Sequence, residues 1–178
     1  VKIDTNKTFC FTGHRPDKLY GYDKNSEGNV YLRNAINDSI KYLHVLNGID
    51  TFISGMALGW DMWAAEEVLE LQDTYPIKLI CAIPCKGHSD KFSKQDKEDY
   101  LHIIYRANYV HNVTGIKYFP RCMQIRNEWM INNSIGQIAG WDGTHGGTYN
   151  CIQYANKVNK TNRIVINPLT MNVQFLGV

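Results

Sequence analysis

Three short stretches of the chain gather the residue types best suited to hold a charged ligand. They are Thr12-Gly13-His14-Arg15-Pro16, Ser54-Gly55-Met56-Ala57-Leu58-Gly59-Trp60-Asp61 and Asp142-Gly143-Thr144-His145-Gly146-Gly147-Thr148. The last two lead through glycines into segments of helical character. A glycine at such a junction leaves no Cβ in the way, so N–H groups at the helix start can close on an anion. The chemistry this points to is phosphate binding, although each cluster alone would equally serve a tight turn. The expected ligand-binding residues are Thr12, Gly13, His14 and Arg15, then Ser54, Gly55, Met56, Ala57, Gly59, Trp60 and Asp61, then Asp142, Gly143, Gly146, Gly147 and Thr148. Arg126 joins them, since a guanidinium, like that of Arg15, offers a planar fork for two phosphate oxygens. Solvation at the surface is the plainer role for both arginines. His14 would donate to a phosphate or pack over a strand end. Trp60 or Trp63 would stack on a purine or fill the core of a short amphipathic helix.

Three carboxylates, Asp61, Glu66 and Asp142, are the candidates for catalysis. Hydrolysis of an N-glycosidic bond passes through an oxocarbenium-like state that needs a nearby negative charge and a positioned water. Asp61 also suits a helix N-terminus, and Glu66 a solvated helix face. No GxxxxGK[ST] and no GxGxxG occurs, which disfavours P-loop ATP hydrolysis and hydride transfer. Ser54 lies in no GxSxG elbow. Cys85 stands beside Lys86, a setting that lowers a thiol pKa, but nothing nominates a nucleophile. The histidines show no HxxxH or HExxH spacing and the cysteines no CxxC pair, so no metal site is expected. Apart from a nucleotide-derived ligand, no cofactor is expected.

The elements that must position these residues alternate. Apolar runs at 8–12, 51–54, 78–83, 109–113, 137–141 and 163–166 read as strands, and helical periodicity at 30–46, 61–71, 91–106, 122–133 and 148–159 fills the intervals. Six strands joined by crossover helices predict a three-layer α/β fold around an open, mostly parallel sheet. Ligands in such sheets lie outside the carboxyl ends of the strands, where the three stretches fall.

With 178 residues and no linker, the chain is expected to form one domain over 1–178. Lysines and arginines exceed aspartates and glutamates by only +2 and form no run, which argues against a nucleic-acid groove. No stretch approaches the ~20 apolar residues of a membrane span. Five cysteines (Cys10, Cys81, Cys85, Cys122, Cys151) at wide spacing read as reduced thiols. A soluble protein of the bacterial cytoplasm is expected.

The three stretches, with Met62-Trp63-Ala64-Ala65-Glu66, Trp141 and Tyr154-Ala155, resemble the YpsA-like branch of the SLOG superfamily in order and spacing from residue 8 to about 168. The resemblance implies a Rossmann-like domain related to the DprA and LOG families. It implies a ligand among nucleotides, nucleotide sugars and ADP-ribose-like compounds, and a homodimer or higher homo-oligomer. LOG enzymes carry PGGxGTxxE, whose glutamate stabilises charge on the ribose. Laying its Gly-Thr on Gly147-Thr148 puts Cys151 at the glutamate, so the phosphate cradle is kept and the catalytic acid is not. The function that follows is binding of an ADP-ribose-like or cyclic-nucleotide signal for sensing or sequestration, which in a phage would counter a host defence. One alternative is an N-glycosidic hydrolase or phosphoribohydrolase acting on a nucleoside phosphate. The other is a DprA-like nucleic-acid binder.

Overall fold

A computed structural model describes residues 2–178 of the chain. Strand β1 (Thr8–Gly13) is followed by helix α1 (Glu27–Asn47), β2 (Thr51–Ser54), α2 (Trp60–Leu71), β3 (Lys78–Ile83), α3 (Lys94–Arg106) and β4 (Tyr109–Asn112). Then come α4 (Cys122–Asn132), β5 (Gly136–Gly140), α5 (Gly147–Lys157), β6 (Asn162–Ile166) and β7 (Val173–Leu176). The sheet runs β4-β3-β2-β1-β5-β6-β7 and is parallel except for the last pair. This is the Rossmann-like three-layer arrangement the alternation predicts.

Both faces of β1, β2, β3, β5 and β6 are covered, which is why they read as continuous apolar runs. In β1, Phe9 and Phe11 pack with Leu32, Ile36 and Ile40 of α1 and with Val68 of α2. Cys10 points the other way, to Met130 and Ile131 of α4 and to Cys151 and Ala155 of α5. The helices thus divide into α1, α2 and α3 on one face and α4 and α5 on the other, as the reversal of strand order requires.

The structure has one strand more than the six expected. All four positions of β7 are exposed, so no buried face imposes a period on its sequence. It is instead positioned by a turn in which Asn167 Oδ1 accepts from the N–H groups of Leu169 and Thr170 at 2.9 and 3.3 Å. Helix α1 stops where expected, at Gly48 in the left-handed region, but starts at Glu27, ahead of the apolar stripe. Helix α3 starts later than expected, at Lys94, where Ser93 Oγ accepts from the Asp96 N–H at 3.1 Å. The residues before it form a turn instead.

Candidate anion-binding site

The strand order reverses between β1 and β5, and a crevice opens outside their carboxyl ends. Glycines bring the two ends unusually close to α2. A Cβ on Gly13 or on Gly140 would overlap the Trp60 indole. The His14 N–H donates to the Gly140 carbonyl at 3.2 Å, and the Trp60 N–H to the His14 carbonyl at 3.3 Å. Trp60 is fully buried, which corrects the expectation that it contacts ligand: its ring is the wedge beneath the site, not a stacking surface. Trp63 is buried as well.

The crevice has a volume of about 250 Å³ and is lined from four directions. Gly146, Gly147 and Thr148 present the start of α5, which has no side-chain cap, leaving first-turn N–H groups to other partners. A Cβ at Gly146 or Gly147 would meet nothing within 4 Å, so both glycines face open space. Thr12, Gly13, His14, Arg15, Asp17 and Lys18 come from the end of β1 and the turn after it. Ala57 and Asp61 come from the β2–α2 junction, and Met123, Arg126 and Asn127 from α4.

Asp61 and Arg126 form the floor. Both are almost wholly buried, with Arg126 Nη1 3.9 Å from Asp61 Oδ2. Arg126 also donates to the Gly55 carbonyl and, through Nε, to Asn127 Oδ1 at 2.9 Å, so this guanidinium is tied into the protein and not surface-solvated. Burial lowers its pKa. Asp61 Oδ1 is buried without a hydrogen-bond partner. Burial pushes the Asp61 carboxyl up to about 6, against the opposing pull of Arg126, a backbone hydrogen bond at Ala57, and Arg15. A carboxyl with one free oxygen, poised between its two protonation states near neutrality, can accept from a hydroxyl or hold a water.

Asp142 has the opposite character. Burial would raise its pKa, but hydrogen bonds from the Thr144 hydroxyl and N–H, and then from His14, outweigh it and hold the carboxyl well below the usual carboxylate range. Its Oδ1 lies 2.7 Å from His14 Nε2 and accepts from Thr144 Oγ1 at 2.6 Å and Thr144 N–H at 3.0 Å. Asp142 thus orients His14 and folds the loop that leads into α5. Cys151, at the position of the LOG glutamate, is fully buried, and burial pushes its thiol up to about 11. Cys85, which its lysine neighbour suggested would be acidic, is likewise raised to about 11 by burial.

Of the residues expected from sequence, Thr12, Gly13, His14, Arg15, Ala57, Asp61, Arg126, Gly146, Gly147 and Thr148 are brought together in the crevice. Ser54, Gly55, Met56 and Gly59 are buried and build the turn that delivers Ala57 and Asp61. Ser54 Oγ donates to the Asp61 carbonyl at 2.7 Å and accepts from the Met56 N–H at 3.1 Å, so its hydroxyl is already committed. Met56 itself sits at φ 59°, a left-handed conformation unusual for its side chain. Gly143 lies at the loop's outer bend, with φ 92°. Glu66 is elsewhere, accepting from Lys24 Nζ at 2.7 Å beside α2, and is not a carboxylate of this site. Sequence reasoning missed Asp17, Lys18, Met123 and Asn127. Lys18 had a readable signal, as a cation just past Arg15-Pro16, whereas Met123 and Asn127 are brought in only by the docking of α4.

Among the described residues no helix is long and apolar enough to cross a membrane. A family profile described as YpsA, the YspA SLOG family, matches residues 9–173. Similar curated proteins include a UPF0398 protein of Halalkalibacterium halodurans, 26% identical over 80% of this chain and 76% of its own length. Another, from Bacillus velezensis, is 25% identical over 93% and 92%. Among solved structures, DNA processing protein A of Helicobacter pylori, described for its single-stranded DNA binding mode, superposes with a TM-score of 0.62 at 18% identity. That of Streptococcus pneumoniae does so at 0.61 and 17%. The match covers 92% and 90% of this chain but only 66% and 50% of those proteins, and it speaks for the fold alone. With the crevice at the β1/β5 reversal and a profile match over nearly its whole length, the chain belongs to the YpsA family of SLOG proteins.

Proposed function

We propose that the chain binds a phosphate-bearing nucleotide derivative, ADP-ribose-like or a cyclic nucleotide, and senses or sequesters it instead of consuming it. One observation carries the reading: the uncapped start of α5 opens over bare Gly146 and Gly147 into a crevice that also presents Arg15 and Lys18. Phosphate at that point would complete the first-turn N–H groups and meet the positive end of the helix. The absence of a carboxylate at Cys151 favours retention of the ligand over its cleavage.

The test is mass spectrometry of nucleotide mixtures before and after incubation with the protein, followed by heat release, on the native chain and on Gly147→Val. Depletion of a compound and its intact return on heating is the expected result. The valine enters open space, so the fold should be unchanged by circular dichroism while affinity falls by at least about tenfold, roughly 1.4 kcal/mol. Equal affinity in the variant would mean the phosphate sits elsewhere.

A second reading, N-glycosidic hydrolysis, rests on the free oxygen of Asp61, which would hold a water or face a developing ribosyl cation. Free base in the same samples, lost in Asp61→Asn, would select it.

A further inference from the structure

The crevice is small for the ligand it would hold. At about 250 Å³ it lies below the roughly 300–1,000 Å³ of typical small-molecule sites, so a nucleotide gripped there by phosphate must extend beyond it. Two other pockets, both larger, differ in charge. One, of about 530 Å³ beside α2, has Lys24 spanning Glu66 and Asp99 at 2.7 and 3.2 Å, with Asp23 and Asp96 on its wall. Its surplus of carboxylates repels phosphate. The other, of about 960 Å³, shares Arg15 and Met123 with the crevice and continues from it.

This second pocket is built by the segments that follow β3 and β4. Lys86 and Lys117 form an isolated parallel bridge, with the Lys86 N–H donating to the Ile116 carbonyl at 2.8 Å. The bridge sets two exposed lysines side by side, and Lys91 lines the same pocket. None of the three has an ion-pair partner among the described residues. Like charges facing each other destabilise a strand pair, a cost that an anion between them would offset. Asp90 is the one carboxylate in the lining. Phe92 and Tyr118 add aromatic surface.

His88 adds an uncharged ring to the wall of this pocket. Its Nε2 lies 2.9 Å from the Met56 carbonyl, which can only accept, so Nε2 carries the proton and Nδ1 is an acceptor. That Nδ1 is buried with no partner. Burial pushes the His88 pKa down to about 4, which keeps the ring neutral at physiological pH, and the ring packs edge-on against Phe92 with centroids 5.5 Å apart.

We propose that this pocket is the second half of the binding site and that the ligand is of the two-nucleotide class. One phosphate sits over α5 and the chain of the ligand passes Arg15. A second phosphate lies on Lys86 and Lys117, and the second nucleoside rests among Phe92, Tyr118 and His88. The proposal rests on the nucleotide-binding reading above.

The test measures, by calorimetry, the affinity of the four nucleoside monophosphates and of the corresponding 5′-phosphorylated linear and cyclic dinucleotides. Native protein and a Lys86→Glu/Lys117→Glu variant are compared, both positions being exposed so that the fold is spared. At least one dinucleotide should bind about tenfold or more tighter than its mononucleotide, and in the variant that advantage should fall below about threefold with mononucleotide affinity unchanged. Mononucleotide binding with no dinucleotide advantage overturns this proposal and leaves the nucleotide-binding reading standing, as does an equal weakening of both in the variant. Binding of neither class overturns this proposal, and the nucleotide-binding reading then stands or falls on the ADP-ribose-like compounds in the mass-spectrometry test. An oligothymidylate that binds more tightly than every dinucleotide overturns it in favour of a nucleic-acid track along the same lysines.

Discussion

Asp61 lines the crevice and Asp142, which does not, holds His14 at its edge, and their surroundings drive the two carboxylates in opposite directions. Asp61 has one oxygen facing Arg126 at 3.9 Å and the other without a partner, and burial raises it to about 6. Asp142 accepts three hydrogen bonds on one oxygen and is held down. A carboxyl whose folded pKa exceeds its unfolded value binds its proton more tightly in the folded chain. Asp61 therefore adds stability as pH falls from about 6 toward 3.8 and withdraws it as pH rises through that window. The thermal midpoint of Asp61→Asn should lack that part of the native slope, whatever its absolute value, and a parallel pair of profiles would show that Asp61 is ionised throughout. The same proton affects binding. For a phosphate diester, which does not titrate near neutrality, affinity should rise about fivefold between roughly pH 7.5 and pH 5, the effect of about 1 kcal/mol of removed repulsion, and stay flat in Asp61→Asn. Residue type and spacing made both aspartates legible as candidates. Their division of roles was not, because it depends on the burial of Asp61, which only the folded chain sets, and on Asp142 keeping its hydrogen bonds from Thr144, two residues on, and from His14, which reaches it only in the folded chain.

At the scale of elements, the strand ends are held together by a single large side chain. Trp60 opens α2 and lies under both Gly13 of β1 and Gly140 of β5, so the mouth of the crevice is spaced by an indole that no ligand touches. Gly140→Ala would force a Cβ into that ring and should cost about 1–3 kcal/mol, as overpacking does elsewhere. The urea midpoint should drop accordingly, while Gly147→Ala, which enters open space, should leave it nearly unchanged. Equal midpoints for the two variants would mean that Trp60 has room to retreat. The strands themselves were readable because burial on both faces demands unbroken apolar runs, as in Leu79 to Ile83. The role of Gly13 and Gly140 was not, since a glycine spared for a tryptophan 47 or 80 positions away looks the same as one spared for a turn. Strand β7 escaped for another reason: with every residue exposed at an edge, nothing buried imprints a pattern on it.

The whole molecule bears on nucleic acid. Its fold is shared with DNA processing protein A, yet it corresponds to only about half to two-thirds of those chains, and its net charge is +2. A groove that tracks single-stranded DNA needs cations repeated along several nucleotides together with stacking aromatics. Here the cations on the ligand side, Arg15, Lys18, Lys86, Lys91 and Lys117, line the crevice and the pocket that continues from it, flanked on the α2 side by Asp23, Glu66, Asp96 and Asp99. Such a layout neutralises a few phosphates and turns the rest of a strand away. Any affinity for an oligothymidylate should therefore be weak and should fall steeply as salt rises from about 50 to about 200 mM, with a logarithmic slope of roughly −0.7 per phosphate held. Fluorescence anisotropy of a labelled oligonucleotide across that range decides the matter. A slope corresponding to no more than about four phosphates fits a compact nucleotide site that DNA enters by its end. A steeper slope with binding that survives the higher salt would mean that DNA follows a basic track longer than this crevice and its pocket.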